Sequence, residues 1–281
     1  MREYRFFTAQ GLLAGRTAGH LINLDDEAIV HQVLNVLRLR EGARLTLLDG
    51  AGSRLQVELT EIMESTGGKA KQKQRRLTLT VLEVDHREEV PDSIKVSVYL
   101  PLIKPARFEW ALEKLTECGV DSISPVLCKR STASNSESRQ SSKKEERWQA
   151  IIKEAAEQCE RLYLPELRSC RSLEQALEED LALMGTNPRL LLHLSERSDA
   201  PNIVPFLYNS QALNGVTVVI VLGPEGGLTE EEKNRLKALH FQPVSLGQEI
   251  LRSETAAVLA AASVRMATAS WAEAARKISK Y

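Results

Sequence analysis

The stretch VTVVIVLGPEGGLTEEE, residues 216–232, decides the fold: an unbroken apolar run enters a glycine-rich turn, and a helix start follows. An apolar run without polar alternation is a strand buried on both faces, as in parallel sheets. Glycine-rich strand-to-helix turns often hold phosphate, because their backbone N–H groups converge at the positive end of a helix. The charges here oppose that. Glu225 lies inside the turn and Glu230, Glu231 and Glu232 follow it, where a phosphate loop carries Lys and Ser or Thr. These carboxylates suit the helix dipole themselves, and Thr229 with Glu232 makes a capping box that satisfies two backbone donors without a ligand. An occupant of the turn is therefore neutral or cationic, unless the turn is a bare connection with no ligand at all.

Around this stretch, from about residue 92, apolar strands alternate with helices. IKVSVYL (94–100), ISPVLC (123–128), LLLHL (190–194) and the short PVSLG (243–247) read as strands. Helices are expected from Pro105 to about Cys118, with Phe108, Leu112 and Leu115 as its apolar stripe, at about 145–162, at 230–240 and from about 254. The alternation implies a parallel sheet covered on both faces, with a ligand site beyond the C-terminal strand ends, where HLSER, LGPEGG and VSLGQEILRSET fall. In the last of these, Ser253 or a neighbour is expected to cap the final helix, and Ala256, Ala257, Ala260 and Ala261 permit close packing. Arg252 stands just before that helix, where the dipole disfavours a cation. A charge so placed marks either a site residue or an arginine that is exposed or paired with a carboxylate.

Residues 1 to about 90 read instead as β-rich. LTLLDG (45–50) and SRLQVELTEI (53–62) form a hairpin about Gly50-Ala51-Gly52, and LTLTVLEV (77–84) is a further strand. IVHQVLNVLRL (29–39) has helical spacing, with Ile29, Val33, Val36 and Leu37 on one face. The G-x-G of the hairpin lacks a third glycine and leads into a strand, so it is not a dinucleotide fingerprint, which removes the main support for a nucleotide-dependent oxidoreductase. The change of texture places a domain boundary at about residue 90, giving domains 1–90 and 91–281.

Across 281 residues, 43% are hydrophobic, 27% are charged and the formal net charge is −1, so a nucleic-acid surface has to be local. KAKQKQRR (69–76) carries five cations and no acid, and KRSTASNSESRQSSKKEER (129–147) carries six cations against three acids in a serine-rich loop composition. Either is a candidate polyanion contact or a solvated tip or linker. Cys118, Cys128, Cys159 and Cys170 show neither C-x-x-C pairing nor metal-ligand spacing, which reads as reduced thiols in a cytoplasmic protein. No apolar run reaches the roughly 18 residues of a membrane span.

LGPEGG followed by LGQEILRSETA closely resembles the signature of the RsmE family, bacterial methyltransferases of the SPOUT superfamily that act on N3 of a uridine in 16S ribosomal RNA. The resemblance runs the length of the chain: RFF (5–7), HQVLNVLRLREG (31–42), LLDGAG (47–52), FEWALEKLTECGVDSISPVLCKRS (108–131) and RWQAIIKEAAEQCERLYLPEL (147–167) each match a family segment. Cys118 departs from a usually apolar position, and the 129–147 loop is more serine-rich than the pattern.

The resemblance implies a PUA-like N-terminal RNA-binding domain, a SPOUT methyltransferase domain with a parallel sheet and a deep trefoil knot, a homodimer, and the 16S RNA of the small ribosomal subunit as partner, with no metal and no membrane. Its methyl donor is S-adenosylmethionine, cationic at sulfur, which answers the charge pattern of the turn. The residues expected to bind it are Leu194, Leu222, Gly223, Pro224, Glu225, Gly226, Leu246, Gly247, Ile250, Leu251 and Thr255. Arg252 is expected to stabilise charge on the uracil oxygens, and Glu225 or Glu254 to accept the imide proton. Arg5, Arg38, Lys129, Arg130 and Arg161 are the expected RNA contacts. A SPOUT enzyme with another RNA target and a non-catalytic RNA-binding module are the alternative readings.

Overall fold

The computed structural model describes the chain apart from residues 1–3, 10, 67–72, 87–93, 132–141, 184, 186, 197–198, 211–214 and 279–281. It divides into two compact units, one made of residues 1–89 and 156–164, the other of 90–155 and 165–281.

The first unit holds β1 (Tyr4–Phe7), β2 (Leu21–Leu24), α1 (Glu27–His31), β3 (Arg44–Leu48), β4 (Ser53–Thr66) and β5 (Lys73–His86). Its sheet runs β1-β3-β4-β5-β2, with β1 parallel to β3 and the other pairs antiparallel. Strand alternation sends Leu45, Leu47, Leu55, Val57, Leu59, Leu77, Leu79 and Val81 inward, where they pack with Ile22, Ile29 and Val33. The hairpin about residues 50–52 forms as expected. Part of the KAKQKQRR segment lies outside the described residues, while Lys73, Arg75 and Arg76 are on β5.

The expected helix over 29–39 is corrected. Asp26 caps α1 by accepting from Ile29 N at 3.0 Å, but after five residues the chain widens into a π-helical turn, Gln32–Val36. The wider turn adds a residue to the repeat and rotates the face. Val36, expected inside, is 62% exposed, and Val30 is buried beside Ile29 and Val33 instead.

Residues 156–164, expected in the second domain, count with the first unit. Phe7 N donates to Glu157 Oε1 at 2.8 Å, Ala51 bridges to Tyr163, and Ala156, Leu162 and Leu164 pack on Phe7 and Leu48.

The second unit contains β6 (Lys95–Pro101), α2 (Pro105–Glu117), β7 (Ser122–Leu127), most of α3 (Ser142–Gln158), β8 (Glu166–Leu167), β9 (Arg171–Ser172), α4 (Leu173–Leu183), β10 (Arg189–Leu194), α5 (Ile203–Asn209), β11 (Thr217–Val221), α6 (Glu230–Ala238), β12 (Gln242–Val244) and α7 (Ser253–Ile278). All its strand pairs are parallel, in the order β12-β10-β11-β6-β7-β8, with β9 also paired to β7. β6, β7 and β11 are buried almost throughout, as their unbroken apolar sequences require. Phe108, Leu112 and Leu115 are the buried stripe of α2, as their spacing predicts. α3 ends four residues earlier than expected, and Glu160 just beyond it has φ +64°.

α4, β8, β9 and α5 have no counterpart in the sequence reading. α4 is tied down by a buried polar cluster: Asp180, 2% exposed, accepts from Tyr99 Oη at 2.8 Å and from Arg171 at 3.0 Å, and Arg168 lies 2.8 Å away. Burial, and then the hydrogen bond to Asp180, push the Tyr99 phenol far above its ordinary range. The four cysteines form no disulfide, and burial pushes the Cys128 thiol up. No helix among the described residues is long and apolar enough to cross a membrane.

Candidate functional site

Beyond the C-terminal ends of β10 and β11, against the start of α7, lies a cavity of about 210 Å³. Its walls are Leu194 at the end of β10 and Glu196 beyond it, Leu222 to Glu225 after β11, and Ile250 to Ser253 with Ala256 at the entry to α7. Hydrogen bonds between the loops hold these walls together. Ser195 N donates to Val244 O at 2.8 Å, Ser245 N to Pro201 O at 2.9 Å, and the Ser245 hydroxyl to Ala200 O at 3.0 Å. The Ser253 hydroxyl donates to Gly223 O at 2.9 Å, so it fastens α7, which begins at Ser253, to the glycine turn.

The turn is crowded at its first glycine. A Cβ on Gly223 would stand 3.1 Å from Leu228 N and 3.3 Å from Gly227 Cα, both backbone atoms. Gly227 N donates to Pro224 O at 2.8 Å to close the turn, and Gly227 has φ +69°, a conformation that favours glycine. The capping box is present as the sequence predicts: Glu232 N donates to Thr229 Oγ1 at 3.2 Å, and Thr229 N to Glu232 Oε2 at 2.8 Å.

The cavity is apolar on its floor and acidic at its rim. Glu196 and Glu225 stand on it with Arg252, while Leu194, Leu222, Pro224 and Leu251 line its surface and Ile250 is 80% exposed. An isoleucine held that open beside a cavity offers an apolar wall to a ligand. Arg252 is exposed. Glu225 and Glu254 meet a common partner that the sequence reading missed: Arg107 of α2 reaches Glu225 Oε1 at 3.3 Å and Glu254 Oε1 at 3.6 Å. Glu254 is 6% exposed, and its Oε2 has no hydrogen-bond partner among the described residues. His193, at the end of β10, has its pKa lowered by burial.

Of the residues expected at the donor site, Leu194, Leu222, Gly223, Pro224, Glu225, Ile250 and Leu251 line the cavity together with Arg252. Gly226 faces Arg130, whose guanidinium donates to Gly226 O at 3.1 Å; Leu246 and Gly247 belong to the loop after β12, and Thr255 to the first turn of α7. Glu196 was within the quoted HLSER and went unassigned.

The expected RNA cations differ in their settings. Lys129 pairs with Glu231, and its backbone N–H donates to Glu232 Oε1 at 2.8 Å. With Arg130, it fastens the start of the basic loop to the glycine turn and α6; residues 132–141 of that loop lie outside the described residues. In the first unit, Arg5 pairs with Glu160 at 2.7 Å and Arg161 Nε donates to Tyr163 O at 3.1 Å. Arg38 is exposed with φ +54°, just past the π-helical turn, and shares an open groove of about 500 Å³ with Arg40 and Arg75. Among the described residues no group of three His, Cys, Asp or Glu is placed to hold a metal ion.

A parallel sheet with its cavity beyond the C-terminal strand ends matches the class found by comparison, since residues 90–265 match the RNA methyltransferase domain family. A Synechocystis ribosomal RNA small subunit methyltransferase E is 33% identical over 237 residues, covering 84% of this chain and 70% of that protein. The Bacillus subtilis protein of the same name is 31% identical over 241 residues, covering 85% and 88%. A structure of the Neisseria gonorrhoeae ribosomal RNA small subunit methyltransferase E bound to S-adenosyl methionine superposes with a TM-score of 0.75 at 27% identity, covering 94% of this chain and 98% of that one. A Legionella pneumophila methyltransferase structure with bound cofactor SAM gives the same score and identity over 95% and 98%. The chain belongs to the family of ribosomal RNA small subunit methyltransferase E. Its fold is accordingly a PUA-like β-rich unit followed by a SPOUT-type parallel sheet.

Proposed function

We propose that this protein transfers a methyl group from S-adenosylmethionine to N3 of a uridine in 16S ribosomal RNA of the assembled small subunit, acting in the cytoplasm as a homodimer. The observation that carries the reading is the cavity at the glycine turn, lined mainly by apolar residues, with the carboxylates of Glu196 and Glu225 and one cation, Arg252. That lining, with more acid than base, fits an adenosyl group joined to a sulfonium. Relatives of the same name, one with S-adenosyl methionine bound, support the donor and the RNA. The trefoil path belongs to the same proposal: β12 pairs with β10 on the far side from β11, and the chain then returns to the Gly223 turn through Ser253.

S-adenosylmethionine, when bound, supplies an already electrophilic methyl group. The residues must then deal with the uracil, whose neutral N3 carries a proton and has no lone pair free for attack. Glu225, on the cavity wall, accepts the imide proton; Arg252, exposed at the same rim, offsets the negative charge that spreads onto the uracil oxygens. The cofactor is held by Leu194, Leu222 to Gly226, Leu246, Gly247, Ile250, Leu251 and Thr255. Methyl transfer from labelled S-adenosylmethionine to small subunits, followed by reverse transcription of the 16S RNA, tests this. A methyl on N3 blocks the pairing edge, so a new polymerase stop is expected. Arg252→Ala is expected to bind the donor normally and lose about 100-fold in turnover, the scale of removing one oxyanion donor; full turnover in that variant would exclude the role given to Arg252.

RNA is taken up by local cationic surfaces, since the whole chain is nearly neutral. We assign Arg38 with its neighbour Arg40 to phosphate contacts in the first unit, where Arg5 and Arg161 also lie, and Lys129 and Arg130 to separate RNA contacts in the second unit. Affinity for 16S RNA is expected to fall steeply with salt, and replacing Arg38 and Arg40 by Gln is expected to flatten the log–log slope by about 2, roughly 1 per lost contact. An unchanged slope in filter binding across a salt series would remove both from the interface.

A further inference from the structure

We propose that Arg107 is a positioning residue for methyl transfer: anchored by the buried Glu254, it fixes the Glu225 carboxylate at the cavity wall. This rests on the functional reading above. Arg107 lies in the first turn of α2, outside the cavity lining itself, and its two carboxylate contacts come from different segments: Glu225 from the turn after β11 and Glu254 from the first turn of α7.

The asymmetry of the contacts assigns the roles. Glu225 stands on the cavity, with its side chain 28% exposed, and in solvent such a side chain samples several rotamers. The Glu254 side chain is 8% exposed, and Arg107 is the cation beside it among the described residues. Its second oxygen, Oε2, is buried without a hydrogen-bond partner among the described residues, so the guanidinium is the chief compensation for a carboxylate removed from water. The ion pair of Arg107 Nε with Glu254 Oε1, 3.6 Å long, keeps the guanidinium beside the buried carboxylate, and Nη1 of the same guanidinium donates to Glu225 Oε1 at 3.3 Å. The neighbouring Ser253 locks the same two loops together from the other side by its bond to Gly223 O. α2, the glycine turn and α7 thus meet at one guanidinium.

The test compares Arg107→Met, Arg107→Lys, Glu225→Gln and the double variant Arg107→Met/Glu225→Gln in the full chain. Donor affinity is read by calorimetry, and kcat on small subunits by label transfer. Arg107→Met is expected to keep the S-adenosylmethionine Kd within about twofold and to lose about 30-fold in kcat, within the cost of a misplaced catalytic group. Arg107→Lys should recover most of that loss. The double variant should be no slower than the slower single variant, because Arg107 acts through Glu225. Losses that multiply in the double variant, equal losses in affinity and turnover, or full activity in Arg107→Met would each overturn the proposal. A parent protein that fails to bind S-adenosylmethionine overturns the functional reading, and this proposal with it; a parent that binds and turns over isolates the result to Arg107. Should Arg107→Met unfold, Glu254→Gln, which neutralises the buried anchor without leaving a bare charge, is expected to show the same fall in kcat at unchanged Kd; no fall would overturn the proposal equally.

Discussion

Gly223→Ala is expected to weaken S-adenosylmethionine binding by about 100-fold, or about 2.7 kcal/mol, while leaving a folded protein. The added methyl would meet Leu228 N and Gly227 Cα at 3.1 and 3.3 Å, and backbone atoms cannot swing aside as the end of a flexible side chain does. The turn has to move. Its carbonyl is fastened to Ser253, so the displacement is passed to the entry of α7 and widens two of the three cavity walls together. Calorimetry on the purified variant, with circular dichroism as the folding control, measures the effect; parental affinity in a folded variant would mean that the donor does not contact this turn.

Asp180→Ala is expected to cost about 3–5 kcal/mol of stability, read from denaturant unfolding. The carboxylate is the shared partner of Tyr99, Arg168 and Arg171 under the packed face of α4, and deleting it leaves the buried Tyr99 phenol without its acceptor and takes the buried partner from two partly buried guanidiniums. Exposed Glu166 and Glu179 also touch these arginines, at 3.2 and 2.5 Å, and stay paired with them, which keeps the loss from exceeding that range. Tyr99→Phe removes one neutral donor and should cost about 1 kcal/mol. Equal costs for the two substitutions would show that Asp180 does not organise the cluster.

What the sequence made legible was whatever lies close along the chain. The apolar strands, the stripe of α2 and the Thr229–Glu232 capping box depend on neighbours a few residues away, and all are present. The cavity was located because its walls follow strand ends in a parallel sheet, a rule of topology. The readings that changed involve distant partners. The bond from the Ser253 hydroxyl to the Gly223 carbonyl was not legible because the two residues are 30 apart. Arg130 looked like a free RNA cation because Gly226 is 96 residues ahead, and Arg107 attracted no attention because Glu225 is 118 residues on. α4 had a local signal that went unread, since the Ser172 hydroxyl accepts from Gln175 N at its start. The π-helical turn had none, for its wider repeat leaves the same apolar residues in the same order.

The return of residues 156–164 to the first unit bears on how such a protein can be inherited in pieces. A single genetic crossover near residue 90 would carry away the strands and leave behind the segment whose Ala156, Leu162 and Leu164 cover Phe7 and Leu48. A recombinant of that kind would expose an apolar edge on one parent's strands and graft a foreign closing segment onto the other's. Exchange of the whole unit takes junctions at 89/90, 155/156 and 164/165 together. Lineages of this chain are therefore expected to have drifted as one gene, with both units sharing a single phylogeny.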